Sequence, residues 1–460
     1  MKFGTSGLRG LVSELSDDVC FSYTISFLKS LEGNHPRKLV VANDLRPSSP
    51  RIALACINAA ISLDYEVVYG GSVPTPALAF YADVNTIPAI MITGSHIPFD
   101  RNGLKFYTVN GEITKDEELK ITQYYVEKKC VMHTDLPIIN NDVHSSYIDR
   151  YIKFFSSDAL SGFRIGVYQH SSVARDILIE IFEKLGATAV SLGRTDYFVP
   201  VDTEAVSRED ADRAAKWSTD VGFDFLVSTD GDGDRPMVSD ENGIWFRGDM
   251  LGILTAMFLD AKVVVTPVST TSLLEKSQLF PEIRRTKIGS PYVIEAISKS
   301  QSSNIVGFEA NGGFLLGTTL QTENQELKKL LTRDAVLPML CVMLLAKRQN
   351  VKASELTKGL RYIYTASDRI QEFPVQKSVD LIEGLVRNND FIREFIPSNL
   401  KSIVEINVVD GYRVHFDCGA IVHLRPSGNA PELRCYTEYD TLQKAKDLNS
   451  FVIQQLKNII

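Results

Sequence analysis

The chain has 460 residues, 44% of them hydrophobic and 23% charged, which excludes intrinsic disorder and, at roughly 150 residues per domain, exceeds what a single core serves. Acidic residues outnumber basic ones 57 to 49, a net charge of −8 that no basic stretch relieves, so a phosphate-gripping nucleic-acid binder is excluded. No apolar run reaches the ~18 residues of a membrane span, and residues 1–7 lack the apolar segment of a signal peptide, so no membrane partner is expected.

Taken in chain order, the first elements expected are a strand at 38–42, a helix at 51–62 and a strand at 65–69. The same order returns at 163–168, 174–185 and 187–191, and in shorter form at 262–266, 271–277 and 283–286. Short apolar runs alternating with helical periodicity predict parallel strands covered by helices. The end of the chain differs. Residues 403–408 and 412–416 flank an Asp410-Gly411 turn, strands follow at 420–424 and 433–437, and a helix spans 442–459. The fold expected is α/β in four domains: three related mixed α/β domains at 1–143, 144–247 and 248–366, then an antiparallel α+β domain at 367–460.

Six cysteines at 20, 56, 130, 341, 418 and 435 contain no C-x-x-C pair, which fits unpaired thiols in a reducing cytoplasm. The seven histidines form no H-E-x-x-H, so zinc hydrolase chemistry is disfavoured.

Four stretches carry chemistry. Thr93-Gly94-Ser95-His96-Ile97-Pro98 follows the apolar run 88–92, and Lys105 stands ten residues past Ser95, able to return on a tight Ω-like turn. Taken alone, Ser95 is an ordinary loop hydroxyl, and no hydrolase elbow surrounds it. Asp230-Gly231-Asp232-Gly233-Asp234-Arg235 follows the apolar run 223–227. Its three carboxylates repel one another unless a hard cation joins them, and the glycines let the backbone wrap that cation. An EF-hand fails here, because Arg235 stands where the loop needs glycine and a strand precedes it. Glu309 and Asn311 sit on a glycine-rich turn suited to vicinal sugar hydroxyls, or equally to a capping carboxylate. Finally, Arg425-Pro426-Ser427-Gly428-Asn429-Ala430-Pro431-Glu432-Leu433-Arg434 sets two arginine forks around small hydrogen-bonding residues, an anion loop or a plain surface hairpin.

Serine loop, acidic loop, hydroxyl loop and anion loop, once per domain and in that order, resemble the α-D-phosphohexomutase family over essentially the whole chain. The opening Phe3-Gly4-Thr5-Ser6-Gly7-Leu8-Arg9-Gly10 and the stretch Asn43-Asp44-Leu45-Arg46-Pro47-Ser48-Ser49 are similar to that family as well. The resemblance, strongest to bacterial phosphomannomutase/phosphoglucomutase members, implies interconversion of hexose 1-phosphate and 6-phosphate. It implies a phosphorylated Ser95, and magnesium held by Asp230, Asp232, Asp234 and that phosphoserine. Arg9, His96, Lys105 and Arg235 would surround the transferring phosphate, with Lys105 or His96 as general base. Lys287, Glu309, Asn311, Arg425, Ser427, Gly428, Asn429 and Arg434 would bind substrate, and a hexose 1,6-bisphosphate would activate.

Three positions depart from the family pattern. Asn311 replaces a serine, Asn429 and Ala430 replace threonine and glutamate, and Ser290 stands where some members carry histidine. The sugar is therefore read less firmly than the chemistry: mannose with glucose first, glucosamine as the alternative. A phosphosugar phosphatase, a silent sugar-phosphate binder and a calcium module are the readings outside the mutases. Oligomeric state is not encoded in these motifs.

Overall fold

The computed structural model describes residues 2–4, 7–33, 35–323, 325–360, 363–426 and 432–458. Among them the strands form four main sheets and a two-stranded ribbon, Leu320–Gln321 with Glu326–Leu327.

The first three sheets share one plan. A central strand is joined on one side by the next strand in sequence and on the other by a third, all parallel. A fourth then returns antiparallel through a hairpin. In the first sheet these are Lys38–Asn43, Glu66–Ser72, Ala89–Ile92 and Arg101–Thr108. Leu8–Leu11 pairs antiparallel beyond Arg101–Thr108, and Lys2–Phe3 forms the edge. In the second they are Arg164–His170, Thr188–Arg194, Phe225–Thr229 and Pro236–Ser239. In the third they are Val263–Pro267, Glu282–Thr286, Ile305–Phe308 and Phe314–Leu316, with Leu330–Asp334 added antiparallel. The fourth sheet is antiparallel throughout, in the spatial order Tyr364–Gln371, Glu432–Tyr439, Ile421–Pro426, Tyr412–Phe416, Ile403–Asn407. The first of these runs across residue 366 and pairs along its whole length with Glu432–Tyr439.

The mixed α/β and antiparallel classes expected from the sequence are those observed. Boundaries shift by one to three residues at most strands, and the short helix is confined to Leu273–Ser277. The antiparallel return strands are additions to the expected parallel core. Third strand and return strand enclose the hairpin turn that carries each chemistry-bearing loop, at the carboxyl end of a parallel strand where α/β sheets commonly bind ligands.

One continuous apolar core runs through the first three sheets, from Val40 and Met91 through Phe225 and Leu251 to Phe308 and Leu340. The fourth sheet keeps a core of its own around Phe373, Leu385, Tyr412 and Val452. Helix Gly248–Phe258 presses close to the third sheet. A Cβ at Gly248 would lie 2.3 Å from the Gly312 nitrogen, so only glycine admits that approach to the loop of Glu309 and Asn311. No helix among the described residues is long and apolar enough to cross a membrane.

Candidate active site

The serine loop is held by a buried ion pair. The Asp44 carboxylate accepts hydrogen bonds from Ser49 Oγ (2.6 Å), Thr93 Oγ1 (2.8 Å) and the Gly94 nitrogen (3.3 Å). Arg46 Nε meets Asp44 Oδ2 at 3.1 Å, and its other nitrogens donate to the carbonyls of Ser95 (2.8 Å), Pro98 (2.6 Å) and Arg101 (3.1 Å). Its guanidinium also lies 4.1 Å from the Phe198 ring centroid. Burying two charges is tolerable here because each is paired and fully hydrogen-bonded. A side chain at Gly94 would come within 2.6 Å of Arg46 Cζ. Ser95 takes φ +54°, a left-handed conformation uncommon outside glycine, asparagine and aspartate, and is fully buried.

Across the interface between the first two sheets, Ser95 Oγ donates to Asp230 Oδ2 at 2.6 Å. Asp230, Asp232 and Asp234 are all buried, each offering a carboxylate oxygen within 4.8 Å of the others. Lys105 Nζ bonds Asp232 Oδ2 (2.6 Å) and Asp234 Oδ2 (2.9 Å), and Thr75 Oγ1 donates to Asp232 Oδ2 (2.7 Å). The remaining oxygens, Asp232 Oδ1 and Asp234 Oδ1, are buried without a hydrogen-bond partner among the described residues. Two orphaned carboxylate oxygens beside a third carboxylate are donors that fit a hard divalent cation.

The charges are strongly coupled. Burial raises the Asp230 carboxyl well above the ordinary 3.8, and Asp232 and Asp234 add to it. Burial also works against Lys105, but those two carboxylates outweigh it and hold the ammonium above its usual value. Burial, then Arg235 and Arg9, push His96 down to about 2, so its ring is neutral; Arg235 Nη1 can only donate to its Nδ1, at 3.1 Å, and Ser95 Oγ lies 3.3 Å from the same atom. Arg9 is lowered to about 10 by burial and by the facing guanidiniums of Arg235 and Arg333.

Arg333, which the sequence reading missed, joins two of the loops. Its Nε donates to Asp234 Oδ2 at 3.0 Å and its Nη1 to Glu309 Oε2 at 3.2 Å. The only signal was a charged Arg333-Asp334 pair at the end of an apolar strand. Asn311 turns its Oδ1 to the Gly313 nitrogen (2.9 Å), while its carbonyl accepts from Thr203 Oγ1 (2.8 Å). Arg9, Ser95, His96, Lys105, Arg235, Glu309 and the three aspartates thus converge. Lys105 does so from the middle of strand Arg101–Thr108, paired with Met91, and not from the Ω-like turn expected. Lys287 is exposed, its amine 5.9 Å from the Tyr292 ring centroid, and joins no contact of this cluster. Arg425 pairs with Asp410 (3.4 Å) and Arg434 with Glu432 (3.6 Å). Ser427, Gly428 and Asn429 lie outside the described residues.

Comparison with known proteins agrees along the whole chain. The family description "Phosphoglucomutase/phosphomannomutase, alpha/beta/alpha domain I" matches residues 1–130, its domain II 145–243, its domain III 247–363 and its C-terminal domain 350–455. A phosphomannomutase of Salmonella muenchen is 46% identical, covering 100% of this chain and 96% of that protein. One of Sinorhizobium fredii is 40% identical over 97% of each. The crystal structure of a phosphoglucomutase/phosphomannomutase family protein from Burkholderia thailandensis shares the fold with TM-score 0.78 at 20% identity, covering 99% of this chain and 97% of that one.

Proposed function

The chain belongs to the phosphoglucomutase/phosphomannomutase family of α-D-phosphohexomutases, and from that premise we propose that it interconverts hexose 1-phosphate and hexose 6-phosphate through a phosphorylated Ser95 and a hexose 1,6-bisphosphate. The observation that carries this reading is the buried Ser95 hydroxyl, 2.6 Å from one of three clustered carboxylates that Arg9, Lys105, Arg235 and Arg333 face. A nucleophile, a cation site and fixed positive charge are what phosphoryl transfer needs, since its catalysis is mostly positioning and electrostatics.

In this scheme the Ser95 phosphoryl passes to the free hydroxyl of the sugar phosphate. The bisphosphate turns end for end, and its other phosphate then rephosphorylates Ser95. Magnesium held by Asp230, Asp232, Asp234 and the serine phosphoryl would supply neutralisation of charge on the transferring group. Arg235 and Arg9 face the equatorial oxygens, and Glu309 and Asn311 hold sugar hydroxyls. The hydroxyl proton passes to one of the two candidate bases of the cluster, Lys105 or His96. Separate Lys105→Arg and His96→Gln variants, compared by the pH profile of kcat, assign it: the base is the residue whose loss removes the rise of kcat with pH.

Reorientation requires the fourth domain to open and close on the rest, with Lys287, Arg425, Ser427, Gly428, Asn429 and Arg434 gripping the phosphate that is not reacting. Its separate core and, among the described residues, its few polar ties to the loops beside the third sheet support that motion. Ser272 Oγ donates to Glu438 Oε2 at 2.8 Å, and the Ile288 nitrogen donates to Asp410 Oδ2 at 3.0 Å. Arg425→Ala is expected to raise KM about 10- to 100-fold with kcat little changed, the cost of one bidentate phosphate contact. Steady-state kinetics measure this, and a fall in kcat at unchanged KM would put Arg425 at the chemistry instead.

The substrates proposed are mannose and glucose phosphates, with a trace of hexose 1,6-bisphosphate as activator. Carboxylate and amide on one loop read the 3- and 4-hydroxyls, which the two sugars share and which roughly exchange places on reorientation. Strong discrimination at C2 would obstruct one half-reaction. Product analysis by NMR, adding hexose 1-phosphates one at a time, tests the function. Both plain hexoses should give 6-phosphates, mannose 1-phosphate with the higher kcat/KM. Highest kcat/KM for glucosamine 1-phosphate would overturn the substrate, and release of inorganic phosphate without isomer would overturn the mutase. A cytoplasmic setting goes with this reading and is supported by six free cysteines.

A further inference from the structure

Helix Asp142–Ile152 buries Tyr147, Ile148, Arg150 and Tyr151. Tyr147 and Tyr151 both donate to the Asp334 carboxylate. Arg150 is 6% exposed, and none of its three guanidinium nitrogens has a hydrogen-bond partner among the described residues. Its neighbours are the rings of Phe80, 5.0 Å from Cζ to centroid, and Tyr151, 5.6 Å. Aromatic faces attract a cation but satisfy none of its in-plane N–H groups. A guanidinium cannot escape the cost of burial by losing its proton, so a paired and hydrogen-bonded anion is the remaining remedy.

Arg150 lines a crevice of about 790 Å³ between this helix and the hairpin that joins Leu320–Gln321 to Glu326–Leu327. The Ser146 hydroxyl, one turn earlier on the same helix, also lines it and likewise lacks a partner among the described residues. Lys328 stands on the opposite wall. Two of the carboxylates there are engaged, Asp149 by Lys153 at 2.8 Å and Glu326 by the Gln321 amide at 3.3 Å. Glu323 is exposed at the rim.

We propose that this crevice is a second anion site, distinct from the catalytic cleft, that takes a small phosphate monoester or inorganic phosphate. The planar fork of Arg150 matches two phosphate oxygens, the Ser146 hydroxyl donates to a third, and Lys328 closes over the charge. Its volume lies in the range of small-molecule sites and admits a phosphorylated sugar.

Calorimetric titration tests it on the full chain, with glucose 6-phosphate in one arm and inorganic phosphate in the other. The wild type should take up one equivalent of either ligand beyond those held in the catalytic cleft. Arg150→Gln should lose that equivalent, and Lys328→Ala should weaken it about tenfold while leaving turnover unchanged. Binding in both arms would mean that the phosphate group alone is recognised, and binding only of glucose 6-phosphate that the sugar contributes. Unchanged stoichiometry and affinity in both variants would overturn the site. It would also be overturned if Glu323→Gln lowered the melting temperature as much as Arg150→Gln with no further loss in the double variant, since Arg150 would then belong to its own chain's carboxylate. Should Arg150→Gln fail to fold, Ser146→Ala with Lys328→Ala carries the same test.

Discussion

Ser95→Ala is expected to lose turnover by on the order of 10⁴-fold or more while remaining folded, because the covalent route has no second nucleophile at the cluster. The change removes one hydroxyl whose bond is the 2.6 Å contact to Asp230 Oδ2. Asp230 keeps, through Oδ1, the backbone donors of Asp234 (3.2 Å) and Arg235 (3.3 Å), and the loop is still gripped by Asp44 and Arg46, so the site should lose its chemistry and keep its shape. Intact-mass measurement of the wild type should find one added phosphate, absent from the variant. Full turnover by the alanine variant would remove Ser95 from the mechanism.

The acidic loop gives an effect of similar size with a sign that divides its members. Asp230→Asn and Asp232→Asn should each lower kcat about 10²- to 10³-fold, and chelation should silence the wild type until magnesium is restored. Stability separates the two. Burial and its neighbours raise the Asp230 carboxyl, so the metal-free fold binds a proton there that the unfolded chain releases above pH 3.8. Stability from that group is present below 3.8 and lost as pH rises toward the folded value. Asp230→Asn removes this loss and should melt higher than the wild type in chelator, by a margin that grows with pH and closes when magnesium is added. Asp232 is the reverse case. Burial opposes its charge, but Lys105 and the hydrogen bonds from Asp230 and Thr75 together outweigh burial and hold the carboxyl well below 3.8. Its contribution is therefore present above 3.8, and Asp232→Asn should melt lower because Lys105 is left half paired. Melting curves in chelator across pH decide both. Equal shifts of the same sign would refute this electrostatic account.

Much of the fold, and the convergence of the serine and acidic loops, was legible in the chain. Parallel strands buried on both faces announce themselves as short apolar runs, and Asp-Gly alternation after a strand leaves little but a cation loop. The return strands were not legible, for a physical reason. Arg101–Thr108 carries Asn102, Gly103 and Lys105, which serve the hairpin and the site, so its apolar pattern is broken where function is densest. Tyr364–Gln371 is half exposed and follows no clean alternation. Arg333 was missed, and Arg46 was singled out only within a stretch and given no role, because their worth lies in contacts 99 and 49 residues distant, which no local spacing reveals.

The partition of apolar contacts, one body for three sheets and another for the fourth, also bears on how such a chain can diversify. A substitution at Phe308 or Leu340 is felt through the shared interior that aligns nucleophile, cation loop and hydroxyl loop, so drift there is tightly constrained. The interior around Tyr412 and Val452 can be repacked without disturbing that alignment. Under the proposed function, changes in which phosphorylated compound the fourth domain grips can therefore accumulate there while the chemistry upstream stays fixed. New specificities in such chains should arise first near the C-terminus.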